Sequence, residues 1–327
     1  MCTAVTYQTR DFYFGRTLDH DNSYCSEITI TPRNFPIPLR HGESIRHHYA
    51  IIGMAHVVDD FPLYFDGVNE KGLAMAGLNF PGFACYGTVR PDRENIAVFE
   101  LIPWILGRCS TTAEAREKLE KLNLTDTPFS PSLPPAQLHW ILADRHQALT
   151  IEATEDGLKI YDNPMGVLTN NPPFPQQLLR LQDYVQLSPE DPVNRLCPEL
   201  FPVPYSLGLG AMGLPGDLSS PSRFARAVFM KLHSQSDMSE NESVSQFFHI
   251  LGTVTQPRGC CRTGNGTFEL TQYTCCCNTD KGIYYCKTYD DHQITGVSMY
   301  REKLDDSFLI RYPLNQNSRI PLLNQPG

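Results

Sequence analysis

Residues 2–19, "CTAVTYQTRDFYFGRTLD", constrain the fold of this chain more than any other stretch. β-Branched and aromatic residues flank a polar turn at Gln8 to Asp11, the pattern of two antiparallel strands, the second ending near Arg16. A chain that pairs its own first residues into a sheet must build the rest of that sheet around them. The hairpin also returns Arg16 and Asp19 to the start of the first strand, beside Cys2.

Further strand-like runs follow at 27–31, 49–58 and 72–80. The period then changes. Segments 95–107 and 111–123 read as helices, the second opened by the capping pair Thr111 and Glu114. Strands return at 138–144, 148–154 and 157–163, a helix is expected over 175–187, and Pro-rich sequence at 189–204 reads as a surface connection. Two more helices are expected at 223–234 and 242–254. In the second, Val244, Phe247, Phe248 and Leu251 form a core-facing stripe. A meander with a turn at "NTDKG" closes 267–312. Strands grouped apart from helical pairs predict an α+β fold, two sheets with helices outside, and not strict βαβ alternation. Strands on both sides of the Pro-rich segment make it an excursion within one domain, 1–327.

Composition removes several classes. A chain of 327 residues can bury a sizeable core, and its net charge of -9 argues against nucleic acid, whose phosphates need a basic face. Arg10, Asp11, Arg16, Asp19 and Asp21 interrupt the apolar stretch that a secretory signal would need. No run of about 18 apolar residues predicts a membrane helix. The chain reads as cytoplasmic, with neither membrane nor nucleic acid as partner. In that setting the eleven cysteines are expected to be reduced. Cys260-Cys261 and Cys275-Cys276-Cys277 lack the C-x2-C spacing, and adjacent strand residues face opposite ways, so no metal site is expected.

Three motifs are read as structural. "GLGAMG" (208–213) matches a dinucleotide fingerprint, but neither a strand precedes it nor a helix follows, which leaves a loop. His47 and His48 lack a spaced partner, and "DHDN" (19–22) reads as a turn.

Cys2 follows the initiator methionine directly, and its small side chain permits removal of Met1. Removal leaves a thiol and an α-amine on one residue. A thiol ordinarily titrates near about 8.5 and an α-amine near about 8, so the amine can take the thiol proton without help from a histidine. Such a nucleophile needs a cation to favour thiolate, a carboxylate to orient the ammonium, and amide donors for a tetrahedral oxyanion. Arg16 and Asp19 can serve the first two needs. Asn79 in "AGLNFPG", with Asn170 and Asn171 in "VLTNNPP", end strands where a loop presents its amides. Arg223 opens a helix after "LSSPS".

Taken in order, "MCTAV", "FGRTLD", "FDGVNEKGLAMAGLNFPG", "LHWILAD", "GVLTNNP", "GLPGD", "SPSRFARAVF", "QFFHIL" and "LTQYTCC…KGIYYCKTYD" resemble the choloylglycine hydrolases. These are the bile salt hydrolases and penicillin V acylases among N-terminal nucleophile amidases, and the motifs span residue 1 to about 290. The resemblance implies a four-layer αββα sandwich, no cofactor or metal, and a homotetramer. It implies Cys2 as nucleophile and base, Arg16 beside the sulfur, Asp19 on the amine, Asn79 and Asn170 at the oxyanion, and Arg223 completing the charged network. Bile salt hydrolases tend to carry Asn where penicillin V acylases often carry Tyr. Asn79 therefore favours a conjugated bile acid as substrate, with penicillin V acylase or another N-acyl amidase as the alternative. Leu18, Val58, Phe65, Phe129 and Leu133 would line the steroid pocket. Leu207 stands where some glycine-preferring relatives have Arg, which leaves the glycine or taurine preference open. The triple cysteine is expected to be buried and without a catalytic role.

Overall fold

The computed structural model describes residues 1–199, 205–314, 320, 322 and 324. Its opening is the expected hairpin: β1 (Cys2–Gln8) pairs with β2 (Phe12–His20), Cys2 lying opposite Leu18 and Ala4 opposite Arg16. Beyond β2 the sheet continues through Phe268–Asn278, Ile283–Thr288 and Thr295–Ser298, and Val167–Leu168 pairs with the other side of β1. Both hairpin strands are buried along nearly their whole length. The sheet is covered on each face, so its central strands show no inside–outside alternation.

In the second sheet β3 (Glu27–Thr31), β4 (Ile51–Val58), β5 (Phe61–Asn69) and β6 (Ala74–Asn79) are successive antiparallel neighbours. β6 then pairs with Leu138–Ala143, and Ala148–Thr154 and Gly157–Asp162 complete that side. Helices Ser220–His233 and Glu240–Gly252 pack on the first sheet, and Leu101–Arg108 packs on β5 of the second. The order is therefore αββα, the architecture expected above. One hydrophobic core joins the first sheet, its helices and the space between sheets; the other lies beneath Leu101–Arg108 around Trp104 and Trp140.

Several element boundaries differ from the sequence reading. Segment 95–107 splits: Glu94–Ala97 is a strand in parallel with Leu122–Thr125, and the helix begins only at Leu101. Ile96 and Ala97 are buried by that pairing, and the helical period of 95–107 arises from a strand running into a helix. The helix at 111–123 ends at Leu119, because 122–125 are the partner strand; its Thr111–Glu114 cap is present. The helix at 175–187 is Phe174–Arg180 plus one tight turn. Strand β5 was not anticipated, since "FPLYFDGVN" has a proline at its second position and a buried charge, Asp66, within it. Within the connection at 189–204, residues 200–204 lie outside the described set, and 189–199 holds neither helix nor strand.

"GLGAMG" is a loop with one short turn, Leu209–Ala211. A side chain at Gly210 would stand 1.9 Å from the Glu190 carbonyl oxygen, so close packing between two loops explains that glycine. His48 is buried with both ring nitrogens on backbone carbonyls, of Tyr49 and Phe35. The three cysteines 275–277 are free and buried, and burial pushes each thiol well above its ordinary range.

Candidate active site

Cys2 lies buried at the start of β1, facing the space between the two sheets. Hairpin register places Leu18 opposite it, Arg16 two pairs further on the same face and Asp19 beside Met1. The remaining site residues arrive from distant segments. Asn79 ends β6, Asn170 follows the short strand Val167–Leu168, and Arg223 sits in the first turn of Ser220–His233. The structure therefore gathers all six predicted chemical residues around one strand end.

Asn170 is the hub. Its Oδ1 accepts from the Cys2 backbone nitrogen at 2.8 Å and from Arg223 Nη2 at 2.7 Å, while its Nδ2 donates to the Asn79 carbonyl at 2.7 Å. Arg223 Nη1 donates to the Cys2 carbonyl at 2.5 Å and to Thr3 Oγ1 at 2.6 Å. Through Asn170 and Arg223, these links tie the loop after Val167–Leu168, the end of β6 and the helix Ser220–His233 to the start of β1. Asn171, the other candidate, instead donates to the Pro81 carbonyl and ties two loops together.

Arg16 spans the gap between sheets. Its Nη1 donates to the Phe65 carbonyl at 3.2 Å and to that of Gly77, its Nε donates to the Thr17 carbonyl, and Nη2 has no partner among the described residues. Burial opposes its charge, but Cys2, Tyr273 and Asp66 nearby hold the guanidinium above its ordinary value. Arg223 is equally buried; there burial wins and its pKa is lowered, with Asp19 and Cys2 opposing.

Asp19 is held by Thr271 Oγ1 at 2.6 Å and Thr17 Oγ1 at 3.2 Å. Burial pushes its carboxyl up, and Arg223 does most to pull it back. With Met1 attached, the Met1 ammonium donates to the Asp19 carbonyl at 2.7 Å and to Glu269 Oε1 at 2.8 Å.

Outside this centre a second layer steadies Asn170. Its backbone nitrogen donates to Ser220 Oγ at 2.8 Å, and Gln177 Nε2 donates to its carbonyl. His139, stacked on Phe80 with ring centroids 4.3 Å apart, hydrogen-bonds Thr169 and Glu152. Sequence reasoning passed over Thr3, Thr17, Ser220, Gln177 and Thr271. Hydroxyl and amide residues in strands and loops are common, and nothing in the local pattern marks them.

The apolar residues assigned to a steroid pocket separate into two groups. Leu18 is buried opposite Cys2, and Phe65 packs on Tyr24 with ring centroids 5.5 Å apart. Phe129 packs against Phe61 and Phe99 and carries Arg40 over its ring at 5.4 Å; Leu133 bridges back to Ser130 in the same loop. Val58 ends β4 opposite Phe61.

Asn170→Ala is expected to destabilise the fold by about 2–4 kcal/mol, because it leaves a buried N–H and a buried guanidinium without their acceptor. Urea unfolding measures this; a change below about 0.5 kcal/mol would show that the hub holds nothing in place.

The family model described as linear amide C-N hydrolases, choloylglycine hydrolase family, matches residues 2–312. A bile salt hydrolase/transferase of Lactiplantibacillus plantarum is 50% identical over 99% of this chain and 100% of its own length. The bile salt hydrolase/transferase of Clostridium perfringens is 35% identical over 99% and 100% of the two chains. Among solved structures, a variant of the conjugated bile acid hydrolase from Clostridium perfringens superposes with a TM-score of 0.92 at 34% identity, covering 99% of this chain and 100% of that one. Penicillin V acylase from Agrobacterium tumefaciens superposes with a TM-score of 0.76 at 19% identity, over 97% and 93% of the chains, and so shares the fold.

Proposed function

This chain belongs to the choloylglycine hydrolase family of linear amide C-N hydrolases, and we propose that it cleaves conjugated bile acids through an acyl-enzyme on Cys2. The observation that carries the substrate is the 50% identity, end to end, to a bile salt hydrolase/transferase. The observation that supports the chemistry is the convergence of Asn170, Arg223 and Arg16 on the Cys2 strand end.

Removal of Met1 turns the Cys2 nitrogen into an amine. That amine takes the thiol proton, and the neighbouring Arg16 favours the resulting thiolate. Sulfur attacks the amide carbonyl, and the tetrahedral oxyanion is received by N–H donors at Asn79 and Asn170. Collapse breaks the C–N bond; the ammonium returns its proton to the departing nitrogen, releasing glycine or taurine and leaving a thioester. Water, deprotonated by the same amine, then hydrolyses the thioester. Asp19, Asn170 and Arg223 keep the strand end and its amine in place. Leu18, opposite Cys2, and Phe65, packed on Tyr24, offer apolar surface suited to a steroid face.

Taurine or glycine release from conjugated bile acids, compared with phenoxyacetic acid release from penicillin V, tests the substrate. Bile acid kcat/KM is expected to exceed the penicillin value by at least about tenfold. The reverse ratio would replace the substrate while leaving the chemistry in place.

A further inference from the structure

Between the sheets lies a buried carboxylate that the mechanism above does not use. Asp66, on β5, is 1% exposed and follows Phe65, whose carbonyl accepts from Arg16. Tyr273 Oη donates to Asp66 Oδ2 at 2.6 Å, Tyr284 Oη to Oδ1 at 2.5 Å, and Cys275 Sγ lies 3.7 Å from Oδ1. Both tyrosines and the cysteine are buried. The strands pair Thr17 with Thr274 and Phe14 with Cys277, which sets Arg16 beside Cys275. Cross-strand neighbours share a face, so Arg16, Cys275 and Asp66 meet in one layer.

Three donors converging on two oxygens suit an ionised carboxylate, which only accepts. A buried anion is costly unless a cation lies near. The groups facing Asp66 are Tyr273, Cys275 and Cys277 from one strand, Tyr284 and Cys286 from the next, and Arg16 from β2. Arg16 is the cation of that set. Burial raises the Asp66 carboxyl above its ordinary range, and Arg16 is foremost among the influences that oppose the rise.

We propose that Asp66 is a positioning residue that acts through the charge of Arg16: its carboxylate, clamped by two phenols, lies in the same layer between the sheets without bonding to the guanidinium, and shares that charge with Cys2. Tyr273 and Tyr284 then act one step further back, by donating to both oxygens and keeping the carboxylate ionised in that layer. The inference rests on the reading of Cys2 as nucleophile and Arg16 as its cation. Its readout is alkylation of Cys2, which needs no substrate, so a mistaken substrate would leave it intact.

The test uses the full chain carrying Asp66→Asn, pulsed with iodoacetamide across a pH series, with the Cys2 peptide quantified by mass spectrometry. Loss of the competing anion leaves Arg16 to the thiolate alone, so the alkylation midpoint is expected to fall by about one pH unit, a tenfold change in thiolate fraction. If Asp66→Asn does not fold, Tyr284→Phe keeps the ring and removes one donor. The carboxylate then protonates more readily, and the midpoint moves in the same direction by a smaller margin. A folded variant whose midpoint stays at the parent value overturns the proposal, even if its melting temperature drops, because packing alone would lower stability without touching the thiol.

Discussion

Cys2→Ala is expected to lower amide hydrolysis by at least about 1,000-fold while leaving the fold intact. The loss is chemical because the strand end is held by backbone groups that alanine retains. The Cys2 nitrogen donates to Asn170 and its carbonyl accepts from Arg223, and neither contact involves sulfur. Ala4, two residues on, already fills a fully buried place on the same face of β1. Removing one buried sulfur costs about 1 kcal/mol, too little to unfold a protein of this size. Turnover by conjugated bile acid assay, set beside a melting curve, separates the two effects. A well-folded alanine variant with more than about a tenth of the parent rate would remove Cys2 from the mechanism.

Retention of Met1 is expected to have a similar effect by a different route. With Met1 attached the Cys2 nitrogen is a planar amide, whose lone pair is delocalised and cannot take a proton. The Met1 ammonium is then occupied by the Asp19 carbonyl and Glu269. That ion pair is partly exposed, with side-chain exposures of 27% and 18%, and contributes little stability, so the fold offers no strong resistance to losing Met1. Activity should therefore rise in proportion to the fraction of chains whose intact mass lacks methionine. Full turnover from a preparation that keeps Met1 would show that the base lies elsewhere.

The two effects divide the catalytic claim, since one removes the nucleophile and the other its base. They also differ in reversibility: an aminopeptidase that trims Met1 should restore activity to the blocked chain, whereas nothing restores the alanine variant.

Much of the fold was legible because hairpins and amphipathic helices are written in short-range periodicity. The β1–β2 pair and the stripe on Glu240–Gly252 were read directly, since each depends on residues within a few positions of one another. Reading failed where tertiary context overrode the local period. Segment 95–107 looked like one helix because its apolar spacing runs on, yet Ile96 and Ala97 pair with a strand that lies beyond the next helix. β5 was missed because its Asp66 argues for a loop until its two phenolic donors are in view. The six chemical residues were named from the demands of an N-terminal thiol and from family motifs; their hydrogen bonds were not.

Sequence by itself determined that a cysteine begins a central hairpin and that its second strand carries Arg16 and Asp19 to the same end. Those relations span fewer than about twenty residues, within reach of strand pairing rules. Only the tertiary structure decided that Asn170 and Arg223, 168 and 221 residues away from Cys2, close on the same strand end, and that Asp66 of the second sheet meets Tyr273 and Tyr284 of the first. Contacts of that span depend on how two sheets and their helices stack, and stacking is governed by burial summed over the whole chain, which no local pattern records.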